Sequence, residues 1–284
     1  MAPTAESTSA ASFRWDPDRY EAFAEHRARP FHDLLARVGA VSPRRVVDLG
    51  CGPGTRTVSL ARRWPHARVV GIDSSAEMVD RARDELDRTP ELAGRLSYEK
   101  ADVVDWTPDP EVDVVVSNAM LQWIPDHPEL MSAWLEALRP GSWLGVQVPH
   151  NADEPSHRTI RELGACEPFA SAMGTIPHTD TVLAPEDYAG MLLRAGWTAD
   201  VWQTRYEHVL TGPDPVASWT AGAALRPSLD ALARHDAAQG TDLREQFHQE
   251  YRRRLREAYP PVVSGGEQTL YGFSRLFVVG HRPD

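Results

Sequence analysis

Three alternating glycines closing an apolar run constrain this chain more than any other feature. In Val46-Val47-Asp48-Leu49-Gly50-Cys51-Gly52-Pro53-Gly54-Thr55, a short strand, Arg45–Leu49, leads through Gly50, Gly52 and Gly54 into a helical pattern over Gly54–Trp64. Glycine permits a tight turn and close approach of a ligand to the main chain. The helix start beyond the loop offers free N–H groups. A second apolar strand, Arg68–Asp73, ends on a carboxylate 19 residues after Gly54. That acid stands at the neighbouring strand tip, where a ribose diol is held in parallel α/β sheets. Strand, glycines, helix, strand and acid in this order read as a nucleotide-type loop rather than a purely structural turn.

The alternation continues. Ala76–Leu86 reads as a helix, Leu96–Lys100 as a third strand, Val112–Ser117 as a fourth that is buried on both faces, Leu130–Leu138 as a helix, and Trp143–Val148 as a fifth strand. Strands separated by helices pair in parallel, with helices on both faces of the sheet. Upstream, Tyr20–Val38 reads as a helix with Phe23, Phe31, Leu34, Leu35 and Val38 on its apolar side, and Pro30 as a break or a helix start. After Pro149 come helices at Pro155–Glu167 and Pro185–Ala195, a strand at Trp197–Leu210, helices at Pro213–Ala224, Pro227–His235 and Thr241–Ala258, and a terminal strand at Leu276–His281. A mostly helical insertion between the last two strands is expected to sit as a lid over the C-terminal sheet edge, where α/β ligands bind.

Composition narrows the function. The 284 residues carry 30 basic and 41 acidic side chains, a net charge of −11. This argues against non-specific nucleic-acid binding, which needs a basic face, but leaves room for a local basic pocket. Lys100 is the single lysine against 29 arginines, and arginine grips carboxylates with two parallel donors. Two cysteines, Cys51 and Cys166, are too few for a disulfide framework or a thiolate zinc cluster. His127, His150 and His157 have no supported metal-site spacing, so no metal is expected. No apolar run reaches the ~18 residues of a membrane span. The opening MAPTAESTSAAS lacks the basic and apolar regions of a signal peptide and reads as a disordered leader over residues 1–14. A soluble, cytoplasmic and monomeric chain is expected, with no nucleic-acid or membrane partner.

The loop spacing separates two functional classes. A dinucleotide fingerprint wants glycine or alanine three residues after its second glycine; counted from Gly50 and Gly52, that position is Thr55. The observed Gly50-x-Gly52-x-Gly54, with Asp48 two residues ahead, resembles instead the first motif of the S-adenosylmethionine (SAM) methyltransferases. A nicotinamide oxidoreductase and a SAM-binding regulator without turnover remain the competing classes. The later segments Phe23–Pro30, Leu121-Gln122-Trp123-Ile124-Pro125-Asp126-His127, Glu154-Pro155-Ser156-His157, Leu225-Arg226-Pro227, Ala258-Tyr259-Pro260-Pro261 and Arg275–Val279 resemble the trans-aconitate 2-methyltransferase family within that superfamily, from about Trp15 to Arg282. Departures are Thr55-Arg56 after the loop, His150 before Asn151, Ser228 after the Leu-Arg-Pro turn, and the Pro168–Thr181 stretch.

The resemblance implies a Rossmann-like fold, a doubly wound and mostly parallel sheet with a C-terminal antiparallel strand and a helical lid. It implies one methyltransferase domain over 15–284, divided into a SAM-binding core (40–150), a lid and acceptor region (151–270) and a last strand (275–282). The cofactor is SAM, and a small carboxylate is the acceptor, trans-aconitate or a close tricarboxylate; another small acid or natural product is the alternative. By the same resemblance Asp48 orients the methionyl end, Asp73 takes the ribose hydroxyls, and Asp102 and Val103 meet adenine. Gly50, Cys51, Gly52, Gly54, Ser74, Met78, Asn118, Tyr20 and Arg29 complete the expected cofactor set. Arg27, His157, Arg226, Tyr259 and Arg275 are expected on the substrate, with Gln122 and Trp123 positioning it beside the methyl.

A carboxylate acceptor, with a reference pKa near ~4, is already ionised at neutral pH. No general base is required. The protein must align oxygen, methyl and sulfur, and its cations belong on the non-reacting carboxylates. Arg27 and Arg29 diverge on a helix, so one is expected at the methionyl carboxylate and the other at substrate or solvent. Arg226, between lid helices, is the preferred pocket contact. The Arg252-Arg253-Arg254 run with Arg256 reads as a solvated helix face with a Glu250–Arg254 pair, and Cys51 as part of the loop rather than a nucleophile.

Overall fold

The computed structural model describes residues 24–174 and 181–284, with the side chains of residues 24–27 left aside. Tyr20 and Phe23 fall outside the described residues, as does the side chain of Arg27. Among the described residues seven strands form one sheet: β1 (Arg45–Leu49), β2 (Arg68–Asp73), β3 (Leu96–Lys100), β4 (Val112–Asn118), β5 (Trp143–Pro149), β6 (Thr198–Thr211) and β7 (Gln268–His281). Their order is β3-β2-β1-β4-β5-β7-β6. The first five are parallel, and β7 runs antiparallel to both β5 and β6.

Successive strand residues face opposite sides, and each side is covered. Val46, Val69, Val114, Phe277 and Val279 pack under α1 (Ala24–Arg37), α2 (Thr55–Arg63) and α3 (Ala76–Asp87). Val47, Val70, Val115, Leu276 and Val278 pack under α4 (His127–Ala137) and α7 (Pro185–Arg194). The valine-rich β4 is central because all of its residues up to Ser117 can be buried. Pro30 lies inside α1 rather than breaking it. It forfeits one ladder hydrogen bond, and complete or near-complete burial of Phe31, Leu34, Leu35 and Val38 offsets that loss.

The terminal strand is longer than expected from Leu276–His281. Strand β7 starts at Gln268 and pairs with β6 over its full 14 residues, whereas β5 pairs only with 275–281 and stops at Pro149. The outer halves of β6 and β7 therefore project past the sheet as a two-stranded arm. Gly272 makes this strand possible, because the Arg205 guanidinium crosses where its Cβ would lie and there meets Glu207 and Glu154. The inner face of the arm, Tyr271 and Phe273, packs against α5 (Pro155–Gly164), α6 (Phe169–Met173), α8 (Pro215–Ala221), α9 (Arg226–Gln239) and α10 (Leu243–Ala258). The lid thus has its own apolar core and comes from two insertions, one on each side of β6.

Candidate active site

The three loop glycines do different work. Gly50 lies under Met120, whose Cγ would stand 2.3 Å from an added Cβ. Gly54, at φ +82°, packs against Tyr98 and Ala82, and the Tyr98 hydroxyl donates to its carbonyl at 3.1 Å. Gly52, at φ +55°, has nothing within 4 Å of its Cβ position. An L side chain at this φ is disfavoured, and with no side chain at Gly52 the main chain of the loop is open to close approach. This is the cradle a nucleotide-type ligand needs.

Acids surround the loop. Asp73, at the end of β2, accepts from the Gly52 N–H at 2.9 Å and from the Ser75 N–H at 2.9 Å. Its carboxylate is thereby aimed at the loop mouth. Beside it the Ala101 N–H donates to the Asp73 carbonyl, which brings Asp102 and the buried Val103 to the same edge. Asp102 caps the turn Val103–Asp105 through the Val104 N–H. Asp48 lies beneath the loop, 2% exposed, and accepts from the Thr57 hydroxyl at 2.7 Å. Burial pushes its pKa up to about 6 against the Thr57 bond, with Asp73 adding to the rise. The Cys51 thiol is raised by burial and by both acids, so it stays protonated. Ser74 is exposed at the strand tip, and Met78 is buried in the first turn of α3, its N–H on the Ser75 hydroxyl. Arg29 is exposed, 5.1 Å over the Tyr206 ring and 3.9 Å from Asp33.

Beyond Met120 a cavity of about 170 Å³ opens between sheet and lid. Asn118, Ala119, Gln122 and Trp123 form the wall at the end of β4; His150, Asn151 and His157 face it from the β5 exit and α5; Trp219, Tyr271, Phe273 and Arg275 close it from the lid. Ala119 sits at φ +56°, uncommon for a residue with a Cβ. Its N–H donates to the Gln147 carbonyl and its carbonyl accepts from Gln122 Nε2 at 2.7 Å. That bond fixes the Gln122 amide, whose Oε1 is buried without a hydrogen-bond partner among the described residues. Asn151 is fixed the opposite way: its Oδ1 accepts from the Ser274 N–H at 2.7 Å, and Nδ2 is left buried without one. Arg275 is 5% exposed, its guanidinium 4.3 Å from the Phe273 ring centroid.

Two expected substrate contacts stand elsewhere. Arg226 begins α9 and pairs with Asp230 at 3.5 Å; it is absent from the cavity wall, where Ala223 and Ala224 of the same turn stand instead. Tyr259 lies behind Tyr271, edge-on to it, with its hydroxyl accepting from the Ser156 N–H. The arginine run of α10 makes ion pairs with Glu250 and Asp214, the Glu250–Arg254 pair among them. Sequence reasoning did not reach Asn151, Trp219, Tyr271 or Phe273. The signal for Tyr271 and Phe273 is the period-2 row Tyr271, Phe273, Arg275, Phe277, which reaches back past the expected strand start at Leu276; Asn151 and Trp219 carry none.

The methyltransferase domain family matches residues 46–141. A trans-aconitate 2-methyltransferase of Rhodococcus jostii is 50% identical over 268 residues, 93% of this chain and 98% of the relative. Those of Streptomyces coelicolor and Mycobacterium tuberculosis are 47% and 45% identical, covering 95% and 93% of this chain and 87% and 95% of theirs. The chain belongs to the trans-aconitate 2-methyltransferase family. Among solved structures, the YcgJ protein of Bacillus subtilis superposes with a TM-score of 0.57 at 10% identity over 90% of this chain and 99% of that one. The geranyl diphosphate C-methyltransferase of Streptomyces coelicolor does so at 0.51 and 15% identity, over 94% and 83%. At such identities the likeness is one of fold, and the fold is that of the methyltransferases. Family membership excludes the nicotinamide class and makes the chain a transferase of methyl groups. No described helix is long and apolar enough to cross a membrane.

Proposed function

We propose that this chain methylates a carboxylate of trans-aconitate, or of a close tricarboxylate, with SAM as donor. The observation that carries the proposal is the buried arginine of the cavity. Arg275 is 5% exposed in the wall of a cavity the size of a small acid, and a guanidinium offers a carboxylate two parallel donors. The relatives named above bear the same activity in their names. SAM supplies an electrophilic methyl on a sulfonium. The open face at Gly52, the Asp73 carboxylate and the Asp102–Val103 edge are suited to its ribose and adenine, and the Gly50–Gly54 loop to its methionyl part.

The chain's own residues then have a positioning task. The attacking carboxylate needs no proton removed; SAM would supply the methyl and take up the electron pair on its sulfur, and the chain's residues have only to hold the acid's oxygen toward it. Arg275, Asn151 Nδ2 and His157 suit the remote carboxylates. Gln122 Oε1, an acceptor, leaves the attacking oxygen unclamped and therefore nucleophilic. Trp123 walls the methyl side. The reading keeps the expectation of a monomeric, metal-independent, cytoplasmic enzyme without a membrane partner, and the net charge of −11 argues against non-specific nucleic-acid binding. A labelled-methyl assay over tricarboxylates, dicarboxylates, phenols and amines tests the proposal. Turnover of trans-aconitate above the rest is expected; methylation of amines or phenols alone overturns it.

A further inference from the structure

A histidine with no part in this chemistry lies fully buried at the start of α4. His127 Nδ1 is 2.9 Å from the Ile124 carbonyl, and Nε2 is 2.6 Å from the Tyr188 hydroxyl on α7. The two rings stack with centroids 6.0 Å apart. Tyr188, 1% exposed, accepts in turn from the Leu183 N–H at 3.3 Å. For a neutral imidazole the direction of every bond follows. A carbonyl only accepts, so Nδ1 carries the imidazole proton; the bare Nε2 accepts from Tyr188, whose oxygen accepts from Leu183. Burial holds His127 below the ordinary histidine range, hence neutral, and pushes Tyr188 up to about 12, hence a donor.

The two ends of this relay hold two separate pieces of cavity wall. Ile124 follows Gln122 and Trp123, and Leu183 follows Val182, all three wall residues. A second tie joins the same pieces, because the Thr181 hydroxyl donates to the Gln122 carbonyl at 3.2 Å. The two segments are 59 residues apart in sequence, so tertiary contacts set their spacing: these hydrogen bonds and the apolar cluster on which Ile124, Val182 and Leu183 pack.

We propose, on the reading of this cavity as the acceptor site, that the His127–Tyr188 relay is a positioning device for the acceptor. It holds the Trp123 and Val182 walls at one separation, so that the cavity keeps the width in which the acceptor binds. Neither residue touches substrate; both act through the wall.

The test uses the full chain. Tyr188→Phe removes only the hydroxyl. His127→Asn keeps a donor for Ile124 and gives up the reach to Tyr188. Each is expected to raise acceptor KM roughly ten-fold, the worth of one buried hydrogen bond, with SAM affinity by calorimetry unchanged. The double variant is expected to be no worse than either single one, since both cut the same link. Should either substitution block folding, Thr181→Val acts on the second tie and is expected to raise acceptor KM alone. Unchanged KM in the single variants, additive losses in the double, or a matching loss of SAM affinity overturns the proposal. A wild-type chain that methylates no carboxylate overturns the acceptor reading itself, whereas normal wild-type turnover with indifferent variants removes only the relay.

Discussion

Arg275→Lys separates the two arginines that compete for the acceptor. Arg275 is enclosed in the cavity wall with its guanidinium carbon 4.3 Å from the Phe273 ring centroid. Lysine keeps the charge but loses the two-donor fork and the ring contact. One lost hydrogen bond to a carboxylate costs about 1.5–3 kcal/mol, and the lost ring contact about 0.5–1 kcal/mol. A single ammonium bond returns part of this, leaving a net loss of about 1.5–3 kcal/mol. At about 1.4 kcal/mol per factor of ten, KM for trans-aconitate rises ten- to one-hundred-fold. Arg275→Met, which removes the charge, is expected to exceed that. SAM affinity should stay within about two-fold, because the groups suited to it sit on other elements; the loss would otherwise exceed the ~0.5 kcal/mol typical of distant sites. A dicarboxylate lacking the anchored group should suffer less. Arg226→Lys, outside the wall and paired with Asp230, is the control and should leave KM unchanged. The measurements are steady-state kinetics on both acids and calorimetric titration of SAM. Unchanged KM for every acid in both Arg275 variants refutes the assignment, and a rise in the Arg226 variant transfers it there.

Asp73→Asn should weaken SAM binding by about 1.5–3 kcal/mol in calorimetry, since it removes a charged acceptor aimed at the loop mouth. Gly54→Ala should destabilise the fold by about 2–4 kcal/mol in urea unfolding, from a left-handed φ and a methyl driven against Tyr98 and Ala82. Asp48, raised in the folded state to about 6, binds a proton there that the unfolded chain has released. Its contribution therefore falls as pH rises from about 4 to 6 and stays low above. Asp48→Asn should abolish that slope and stabilise the chain at pH 8 by roughly 2–3 kcal/mol, read from paired melts at pH 5 and 8. Incubation with a strong chelator should leave methyl transfer intact; a loss restored by zinc or magnesium would show a metal role.

Much of the cofactor half was legible in the linear chain because its information is local. Glycines at 50, 52 and 54, an apolar run before them and an acid at 73 specify turn, helix start and strand tip over fewer than 30 residues. The alternation of valine-rich strands with helices left parallel pairing as the one way to bury both faces. The loop sequence did not say that Asp48 points down to Thr57 while Asp73 points up to Gly52. That choice depends on which side chain the helix behind the loop can reach.

The acceptor side was decided by tertiary structure. Whether Arg275 faces the cavity depends on how far β7 extends, and the linear reading begins that strand only at Leu276. Only pairing with β6, and the passage of Arg205 over Gly272, carry the strand on to Gln268. That extension puts Tyr271, Phe273 and Arg275 on one face. Asn151 likewise reads as an ordinary polar residue, and Gln122 as a positioning residue of unset direction, until their backbone partners, Ser274 and Ala119, set which amide end is left over. Loop motifs are written in neighbouring residues; a pocket between sheet and lid is made of residues more than 100 positions apart, and chain packing alone assigns their directions.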